Sequence, residues 1–329
     1  MVKAKVYKYV KEFEGTPKKS DFKVIEEELP ELKNGEFLAE ATYLSVDPYM
    51  RAHPDAVGET MVGTQVAKVI KSKNPKFPVG KLVVGGFGWR SHTISNGDEE
   101  AFLGKPYVLP DIGDLSPSLA LGVLGMPGNT AYFGLLELGK PKSGETVVVS
   151  GAAGAVGSIA GQIAKIKGCN VIGIAGSDAK AKWLVDELGF DHSINYKTQN
   201  VHEELSKMAP KGVDCYYDNV GGEISDTVLK HMNVFGRIVA CGAISQYNNI
   251  NTIFGYNQTT IVFSQLTIYG FVVNRWLDRW LEGIVQMAEW VKQGKVKYQE
   301  TLTDGFDNMV DAFVNMLTGG NVGKAVVKV

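Results

Sequence analysis

The sequence predicts an α/β protein in which a doubly wound parallel sheet is joined to a β-rich domain. The chain of 329 residues is longer than one hydrophobic core usually supports, so two domains are expected. Up to about Leu124, strand-like segments lie between Pro- and Gly-containing turns, a pattern typical of antiparallel strands. From Ser116 onward, short apolar strands alternate with helical segments, which is typical of a parallel sheet covered by helices.

The predicted elements can be placed in order along the chain. In the first domain, strands are expected at 22–25, 35–44 and 65–70. Helices are then expected at 119–124 and 130–138, where the pattern changes to alternating helices and strands. Alternating strands and helices of the second domain are then expected at 146–150, 158–165, 170–175, 179–188, 192–196, 201–208, 213–218, 236–241 and 266–273. A final strand at 323–329 is expected to return to the first domain. The domains are therefore predicted at 1–124 with 296–329 and at 125–295.

Composition excludes several classes of function. Charged residues make up 21% of the chain and the formal net charge is -2, so no general basic surface for nucleic acid or an anionic membrane is expected. No apolar stretch approaches the roughly 20 residues that span a bilayer, and nothing near Met1 resembles a signal peptide. Cys169, Cys215 and Cys241 are widely spaced among apolar residues. Reduced, buried thiols in a cytoplasmic protein are expected.

A glycine-rich run follows the β-branched strand 146–150 and leads into an amphipathic helix. In a strand–turn–helix unit of the Rossmann type, small residues let the backbone approach a dinucleotide pyrophosphate, and the helix amides face its charge. The spacing is Ala-x-x-Gly-x-x-Gly rather than Gly-x-Gly-x-x-Gly, so a glycine-rich turn without a ligand is the alternative on spacing alone. The residues predicted to bind the phosphates are Ala152, Ala153, Gly154, Ala155, Val156 and Gly157.

The end of the second strand favours NADPH over NADH. An acid at this position normally binds the ribose hydroxyl of NAD, but here the strand ends in Ala175-Gly176-Ser177. Asp178 comes one residue later and is expected to cap the following helix. A 2′-phosphate needs a cation and hydrogen-bond donors, which Lys180, Ser177 and Tyr196 can supply together. Taken alone, Lys180 would be interpreted as a solvated helix residue.

Six segments, in order along the chain, carry a resemblance to a known family. They are SVDPYMR at 45–51, MPGNTAYFGL at 126–135, AAGAVGS at 152–158, DNVGGE at 218–223, CGAISQY at 241–247 and GFVV at 270–273. The chain resembles the zinc-free alkenal/one reductases of the medium-chain dehydrogenase/reductase superfamily, the group that includes the prostaglandin reductases. The resemblance spans essentially the whole chain. It implies a Rossmann domain, a GroES-like catalytic domain, and a cytosolic NADPH-dependent enzyme that reduces activated carbon–carbon double bonds.

The resemblance also assigns residues to the coenzyme. It implies that Lys180 and Tyr196 bind the 2′-phosphate of NADPH. It also predicts that Asn321, in the carboxyl-terminal segment that returns to the first domain, contacts the coenzyme. The other residues that it implies are Thr130, Asn219, Cys241, Gly242, Ala243, Ile244, Ser245, Gln246, Tyr247, Phe271, Val272 and Val273. Cys241 is expected to be a small loop residue rather than a nucleophile.

No metal site is predicted. Zinc members of the superfamily need cysteine and histidine ligands in the catalytic domain, but here no cysteine precedes Cys169. The segment Gly63-Thr64-Gln65 stands where those members carry a His-Glu pair, and His53 and His92 are isolated. Without a metal, reduction of a conjugated double bond is easier than reduction of a ketone to an alcohol. Hydride adds to the β-carbon, and the resulting enolate oxygen needs only well-placed donors.

Tyr49 is the predicted catalytic residue. Its phenol can donate to the developing enolate, while the alternative is a packing tyrosine. Many relatives carry a further tyrosine in the segment corresponding to 260–266, where this chain has Phe263. Tyr256, Tyr269, or water with a ribose hydroxyl are the alternative proton sources, of which water is favoured.

The predicted function is therefore reduction of α,β-unsaturated aldehydes and ketones with NADPH, with 15-oxo-prostaglandins among the candidate substrates. A zinc-free quinone reductase and a non-catalytic NADPH-binding protein are the alternatives. The sixth strand lies at a sheet edge, so it is expected to pair with its copy in a homodimer.

Overall fold

The computed structural model describes residues 2–249 and 256–329. It separates into two compact units, one formed by Met1–Gly122 with Glu300–Val329 and the other by Val123–Gln299. The chain therefore leaves the first unit once and returns to it at its carboxyl-terminal end. Each unit has its own sheet, and the predicted α/β fold class is confirmed.

The first unit is rich in β-strands. Its elements before the crossing are β1 (Lys3–Tyr9), β2 (Phe22–Glu28), β3 (Phe37–Ser45), α1 (Tyr49–Ala52), β4 (Gln65–Ser72), β5 (Leu82–Gly85), β6 (His92–Ser95), β7 (Tyr107–Val108), and short 3-10 helices at Lys19–Asp21 and Pro117–Leu121.

The second unit alternates helices and strands. Its elements are α2 (Met126–Phe133), a π-helix (Gly134–Gly139), β8 (Thr146–Ser150), α3 (Gly157–Ile166), β9 (Asn170–Ala175), α4 (Asp178–Asp186), β10 (His192–Asn195), α5 (Val201–Met208), β11 (Val213–Asp218), α6 (Gly222–Leu229), β12 (Met232–Ala240), α7 (Ile244–Tyr247), α8 (Gln258–Phe263), β13 (Thr267–Gly270), a 3-10 helix (Val273–Arg279) and α9 (Trp280–Lys292).

The return segment adds β14 (Glu300–Asp304), a 3-10 helix (Phe306–Asn308), α10 (Met309–Leu317) and β15 (Lys324–Lys328) to the first unit. The sheet there has the order β14-β15-β3-β4-β5-β7, with β6 paired to β3. Its pairs are antiparallel except for β14 with β15. β15 therefore lies beside β3, and this places the end of the chain next to the segment that leads to α1.

The sheet of the second unit has the order β10-β9-β8-β11-β12-β13, and every pair in it is parallel. In such a sheet the carboxyl ends of the strands share one edge, and ligands bind in the crevice outside it. The loops after β8, β9, β10, β11 and β12 all leave this edge. These loops contain most of the residues that the sequence predicts to bind a dinucleotide.

Several predicted elements differ from the structure at their ends, and three of these differences have a clear local cause. The helix expected at 119–124 is a 3-10 helix at Pro117–Leu121, because Gly122 adopts non-helical angles where it packs against Lys324. The helix expected at 130–138 begins at Met126, since Pro127 is well tolerated in a first helical turn. The strand expected at 266–273 covers only Thr267–Gly270, because Gly270 pairs with the last residue of β12.

Among the residues that the structure describes, none of the helices combines the length and the apolar character needed to cross a membrane.

Candidate functional site

The glycine-rich turn connects β8 to α3. Gly151 has a φ of 57°, a left-handed conformation that favours glycine. A Cβ atom on Gly157 would lie 2.4 Å from the carbonyl oxygen of Gly151, so no larger residue fits the start of α3. Ala152 and Ala153 are buried beneath the turn. The turn therefore packs closely on the amino-terminal end of α3, the position at which a Rossmann unit binds a pyrophosphate.

The start of α4 differs from the prediction for Asp178. Ser177 is the N-cap, and its hydroxyl accepts a hydrogen bond from the backbone amide of Lys180 at 3.3 Å. Asp178 is the first helical residue, and its Oδ1 accepts a bond from Nδ2 of Asn195 at 2.7 Å. The prediction that Asp178 caps the helix is wrong, because Ser177 already has the extended backbone of a cap. The Asp178 carboxylate is bound instead to the end of β10.

Two lysines and a tyrosine lie near the start of α4. Burial lowers the pKa of Lys180, and the neighbouring charge of Lys197 lowers it further, so the two ammonium groups are close enough to repel. The Tyr196 ring lies against Gly176, where an added Cβ would come within 3.1 Å of the phenolic oxygen. Lys197 was missed by sequence reasoning, although it directly follows Tyr196. A doubly charged phosphate would relieve the repulsion between the two lysines.

A buried carboxylate joins the loops after β8 and β11. Asp218 is 1% exposed at the end of β11. Its two oxygens accept hydrogen bonds from four hydroxyl groups, those of Ser150, Tyr216, Ser225 and Tyr256. They also accept from the backbone amides of Val220 and Gly221. Sequence reasoning missed this role, and the only signal was an acid at the end of a predicted strand. The hydroxyl of Tyr256, one of the alternative proton sources, is engaged by this carboxylate.

Asn219 also binds the end of β8. Its Nδ2 donates to the carbonyl of Ser150 at 2.8 Å, and its amide donates to the Ser150 hydroxyl at 2.9 Å. The loop after β12 packs on the same segment, because Ser245 donates to the carbonyl of Val220 at 2.7 Å. A Cβ on Gly221 would lie 3.2 Å from both Ala243 and Gln246. Residues 219–221 and 241–247 therefore form one packed wall at the edge of the sheet.

Cys241 lies at the start of this wall. Burial raises the pKa of its thiol to about 12, and its side chain is hydrogen-bonded with Tyr217. A thiol of this pKa carries almost no thiolate at neutral pH, and the thiolate is the nucleophile. The geometry is therefore that of a packed loop residue.

We expect the thiols of the native protein to react slowly with a disulfide reagent. Burial also raises the pKa of Cys169 to about 11 and of Cys215 to about 12. Reaction with an aromatic disulfide reagent at pH 8 should be slower than that of a free cysteine by on the order of 100-fold. Addition of denaturant should release all three thiols at once. A thiol that reacts at the free-cysteine rate in the native protein would contradict this.

Three residues that the sequence predicts to bind the coenzyme have contacts within the protein. The Thr130 hydroxyl donates to the carbonyl of Met126 at 2.7 Å, and its own carbonyl accepts from Tyr217 at 2.8 Å. Phe271 packs over Gly134, where an added Cβ would lie 2.6 Å from the ring. Asn321 belongs to the first unit and donates to the carbonyl of Gly323 at 2.8 Å. Coenzyme contacts of these three residues stay predictions.

In the first unit, Tyr49 opens the short helix α1. Its ring is half-buried and stacks on Phe102 with centroids 5.1 Å apart, and its hydroxyl shares a hydrogen bond with that of Thr64. Burial raises the pKa of Tyr49, and the charge of Asp47 raises it further. The phenol therefore stays protonated and can donate a hydrogen bond. Thr64 was missed as its partner, since only the fold brings the start of β4 to α1.

Comparison with known proteins decides the family. A model described as the N-terminal domain of oxidoreductase matches residues 5–102, and one described as zinc-binding dehydrogenase matches residues 155–290. Prostaglandin reductase 1 of Bos taurus is 51% identical over 334 residues, which cover 100% of both chains. The chain belongs to the prostaglandin reductase family of medium-chain dehydrogenases/reductases. The family resemblance predicted from the sequence is confirmed.

Two bacterial proteins are also similar to this member of the prostaglandin reductase family. The NADPH-dependent curcumin reductase of Escherichia coli is 39% identical, and the match covers 96% of this chain and 94% of that protein. The crystal structure of CurA from Vibrio vulnificus in complex with NADPH is 38% identical, with a TM-score of 0.91 and 98% of each chain covered. The predicted assignment to the oxidoreductases is confirmed.

The matching dehydrogenase model is described as zinc-binding, which raises the question of whether this chain has residues that could bind a metal ion. Within residues 2–249 and 256–329, no cluster of three or more His, Cys, Asp or Glu residues could hold a metal ion. Gln65, in the segment compared with the zinc ligands, donates to the carbonyl of Gly88 at 2.9 Å. Its amide therefore ties β4 to the loop between β5 and β6.

Proposed function

We propose that this chain uses NADPH to reduce the carbon–carbon double bond of α,β-unsaturated aldehydes and ketones. One observation carries the choice of NADPH in this proposal: Lys180 and Lys197 are close enough to repel, and Tyr196 lies against Gly176, at the strand end where an NAD-specific protein has an acid. The relatives named as prostaglandin reductase and NADPH-dependent curcumin reductase, and the NADPH complex of CurA, support it. As part of the same proposal, the first unit is the catalytic domain and the second unit is the NADPH-binding domain.

The residues of the second unit fit NADPH. The turn 151–157 packs tightly on the start of α3, where a Cβ on Gly157 would clash with the Gly151 carbonyl, and the amino-terminal end of α3 suits the pyrophosphate. Lys180 and Lys197 supply the positive charge for the 2′-phosphate. The wall of 219–221 and 241–247 shapes the rest of the site. When bound, the nicotinamide supplies the hydride for the β-carbon of the substrate.

Tyr49 stabilises the charge that this reduction creates. As hydride adds to the β-carbon, the π electrons move to the carbonyl oxygen, which becomes an enolate. The protonated phenol of Tyr49 donates a hydrogen bond to that oxygen, and Thr64 holds the phenol. The α-carbon then takes its proton from water.

The experiment that tests this function is a steady-state screen of NADPH oxidation. Aliphatic enals, enones, 15-oxo-prostaglandins and simple quinones are compared at equal concentration, and the products are identified by mass spectrometry. The proposal expects saturated aldehydes and ketones two mass units heavier than the substrates. Turnover of quinones alone would favour the quinone reductase alternative. NADPH binding without oxidation across the panel would favour the non-catalytic one.

We further propose that the protein is a cytoplasmic homodimer formed through the edge strand β13. This strand ends the sheet, so its outer edge can pair with a second copy. Val262 and Phe263, at the end of α8 before this strand, are 67% and 79% exposed and would be covered in such a dimer.

Introducing charge beside β13 should therefore give monomers. We expect sedimentation velocity at micromolar concentration to show a dimer for the wild type and a monomer for Val262→Asp/Phe263→Asp. Val79→Asp is the control, because Val79 is 62% exposed but lies in the first unit. A wild-type protein that sediments only as a monomer would contradict the proposal.

A further inference from the structure

A buried ion pair lies directly beneath the turn that carries Tyr49. The ammonium nitrogen of Lys324, at the start of β15, is 3.2 Å from Oδ1 of Asp47. Their side chains are 4% and 5% exposed. The two residues come from opposite ends of the chain, and the pairing of β15 with β3 brings them together.

Every charge in this pair has further partners. The Lys324 ammonium donates to the carbonyls of Val46 and Ala325 at 2.7 and 2.8 Å. The other carboxylate oxygen of Asp47 accepts a bond from the Ser45 hydroxyl. Buried ion pairs of this kind often contribute little to stability compared with apolar residues of similar volume. A contribution to stability alone therefore does not account for a lysine at this place.

The ion pair of Lys324 and one of its hydrogen bonds are made to residues that lie just before α1. Lys324 contacts both Val46 and Asp47, the residues that lead into Pro48 and Tyr49. The helix spans only Tyr49–Ala52, and no side chain caps its start. So short a helix is not stable in isolation, and its orientation must come from its surroundings. The Asp47 backbone supplies one such link, because its carbonyl accepts from the Met50 amide at 3.2 Å.

We propose that Lys324 is a positioning residue for the reaction, which acts through Asp47 to fix the orientation of the Tyr49 hydroxyl. Its ammonium group is buried and engaged, so it touches neither substrate nor coenzyme. This inference rests on the proposed function of Tyr49 as the donor to the substrate oxygen. It adds a residue from the carboxyl-terminal end of the chain to the catalytic machinery.

The test is a double-mutant cycle on turnover. Three substitutions are each made in the wild-type protein and in the Tyr49→Phe variant: Ser45→Ala, Asp47→Asn and Lys324→Met. For every variant, kcat and KM are measured with NADPH and an aliphatic enone. In the wild-type background we expect Asp47→Asn and Lys324→Met to lower kcat by about 10- to 100-fold, as misplacement of a reacting group does. In the Tyr49→Phe background the same changes should lower kcat less than about twofold, because the positioned group is already absent. The KM for NADPH should not change.

A second readout separates positioning from stability. Lys324→Met leaves the Asp47 carboxylate buried without its cation and should lower Tm, whereas Asp47→Asn/Lys324→Met removes both charges and should recover it. We expect kcat to stay low in the double variant although Tm recovers. Recovery of kcat together with Tm would overturn the inference. If Lys324→Met does not fold, Ser45→Ala and Asp47→Asn complete the cycle.

Ser95→Ala is the matched control. The Ser95 hydroxyl also donates to a carboxylate in the first unit, that of Glu99 at 2.6 Å, but it has no contact with α1 in the described structure. It should leave kcat unchanged. Equal losses of kcat in both backgrounds would overturn the role of Lys324 while Tyr49 keeps its own. A Tyr49→Phe variant with full kcat would overturn both roles, and a wild type that oxidises no NADPH would overturn the proposed function itself.

Discussion

Tyr49→Phe is expected to lower kcat for an aliphatic enone by about 100-fold, the loss that follows removal of one donor to an oxyanion. The ring of phenylalanine keeps the stacking on Phe102, so only the hydroxyl is lost. The affinity for NADPH should not change, because no NADPH contact is proposed for Tyr49. Steady-state kinetics with an enone and fluorescence titration of NADPH measure the two quantities.

The pH profile gives a further check on Tyr49. Burial and Asp47 raise its pKa, so the phenol is protonated throughout the range in which the protein can be assayed. Its ionisation should therefore produce no fall in kcat between pH 6 and pH 9. Tyr43→Phe, which removes a half-buried phenol from β3 of the same unit, is the control and should retain full kcat. If Tyr49→Phe keeps the wild-type kcat, the donor must be a different group.

Lys180→Ala is expected to weaken NADPH binding by about 10- to 100-fold, the range for loss of a hydrogen bond to a charged group. NADH binding should change less than about twofold, because NADH has no 2′-phosphate for the lysine to bind. Titration of the free protein with each coenzyme, followed by the change in nicotinamide fluorescence, gives the two dissociation constants. The ratio between them is the decisive quantity.

Two companion variants sharpen this result. Lys197→Ala should act in the same direction but less strongly, because Lys197 is exposed whereas Lys180 is half-buried. Lys182→Ala is the matched control on α4, where the lysine is paired with Asp186 at 2.9 Å. It should leave both coenzymes unaffected. Equal weakening of NADPH and NADH by Lys180→Ala would show that the lysine does not contact the phosphate.

Several elements of the second unit could be predicted closely from the sequence. The strands at 170–175 and 213–218 and the helix at 201–208 lie at the predicted bounds. Their apolar patterns are short and end at Gly, Pro or polar residues, so local chemistry defines them. The turn 151–157 was predicted for the same reason, since its glycines serve a backbone geometry set within a few residues.

The candidate site was only partly predictable. Ser177, Lys180 and Tyr196 were predicted to bind the 2′-phosphate because a strand end without an acid is visible in the sequence, and this role stays a prediction. The partner of Asp178 was not, because Asn195 lies on a different strand. The role of Asp218 was also missed, since its partners come from several loops of the parallel sheet.

Local periodicity was enough to predict a β-rich first part of the chain and a parallel sheet with a glycine-rich turn, and the resemblance of six segments predicted the family. The tertiary structure alone decided which side chains meet: Thr64 with Tyr49, Lys197 with Lys180, and Lys324 with Asp47. The physical reason is the separation along the chain between the interacting residues. Backbone conformation follows from neighbours along the chain, whereas a buried charge finds its partner only after sheet pairing brings distant segments within a few ångströms.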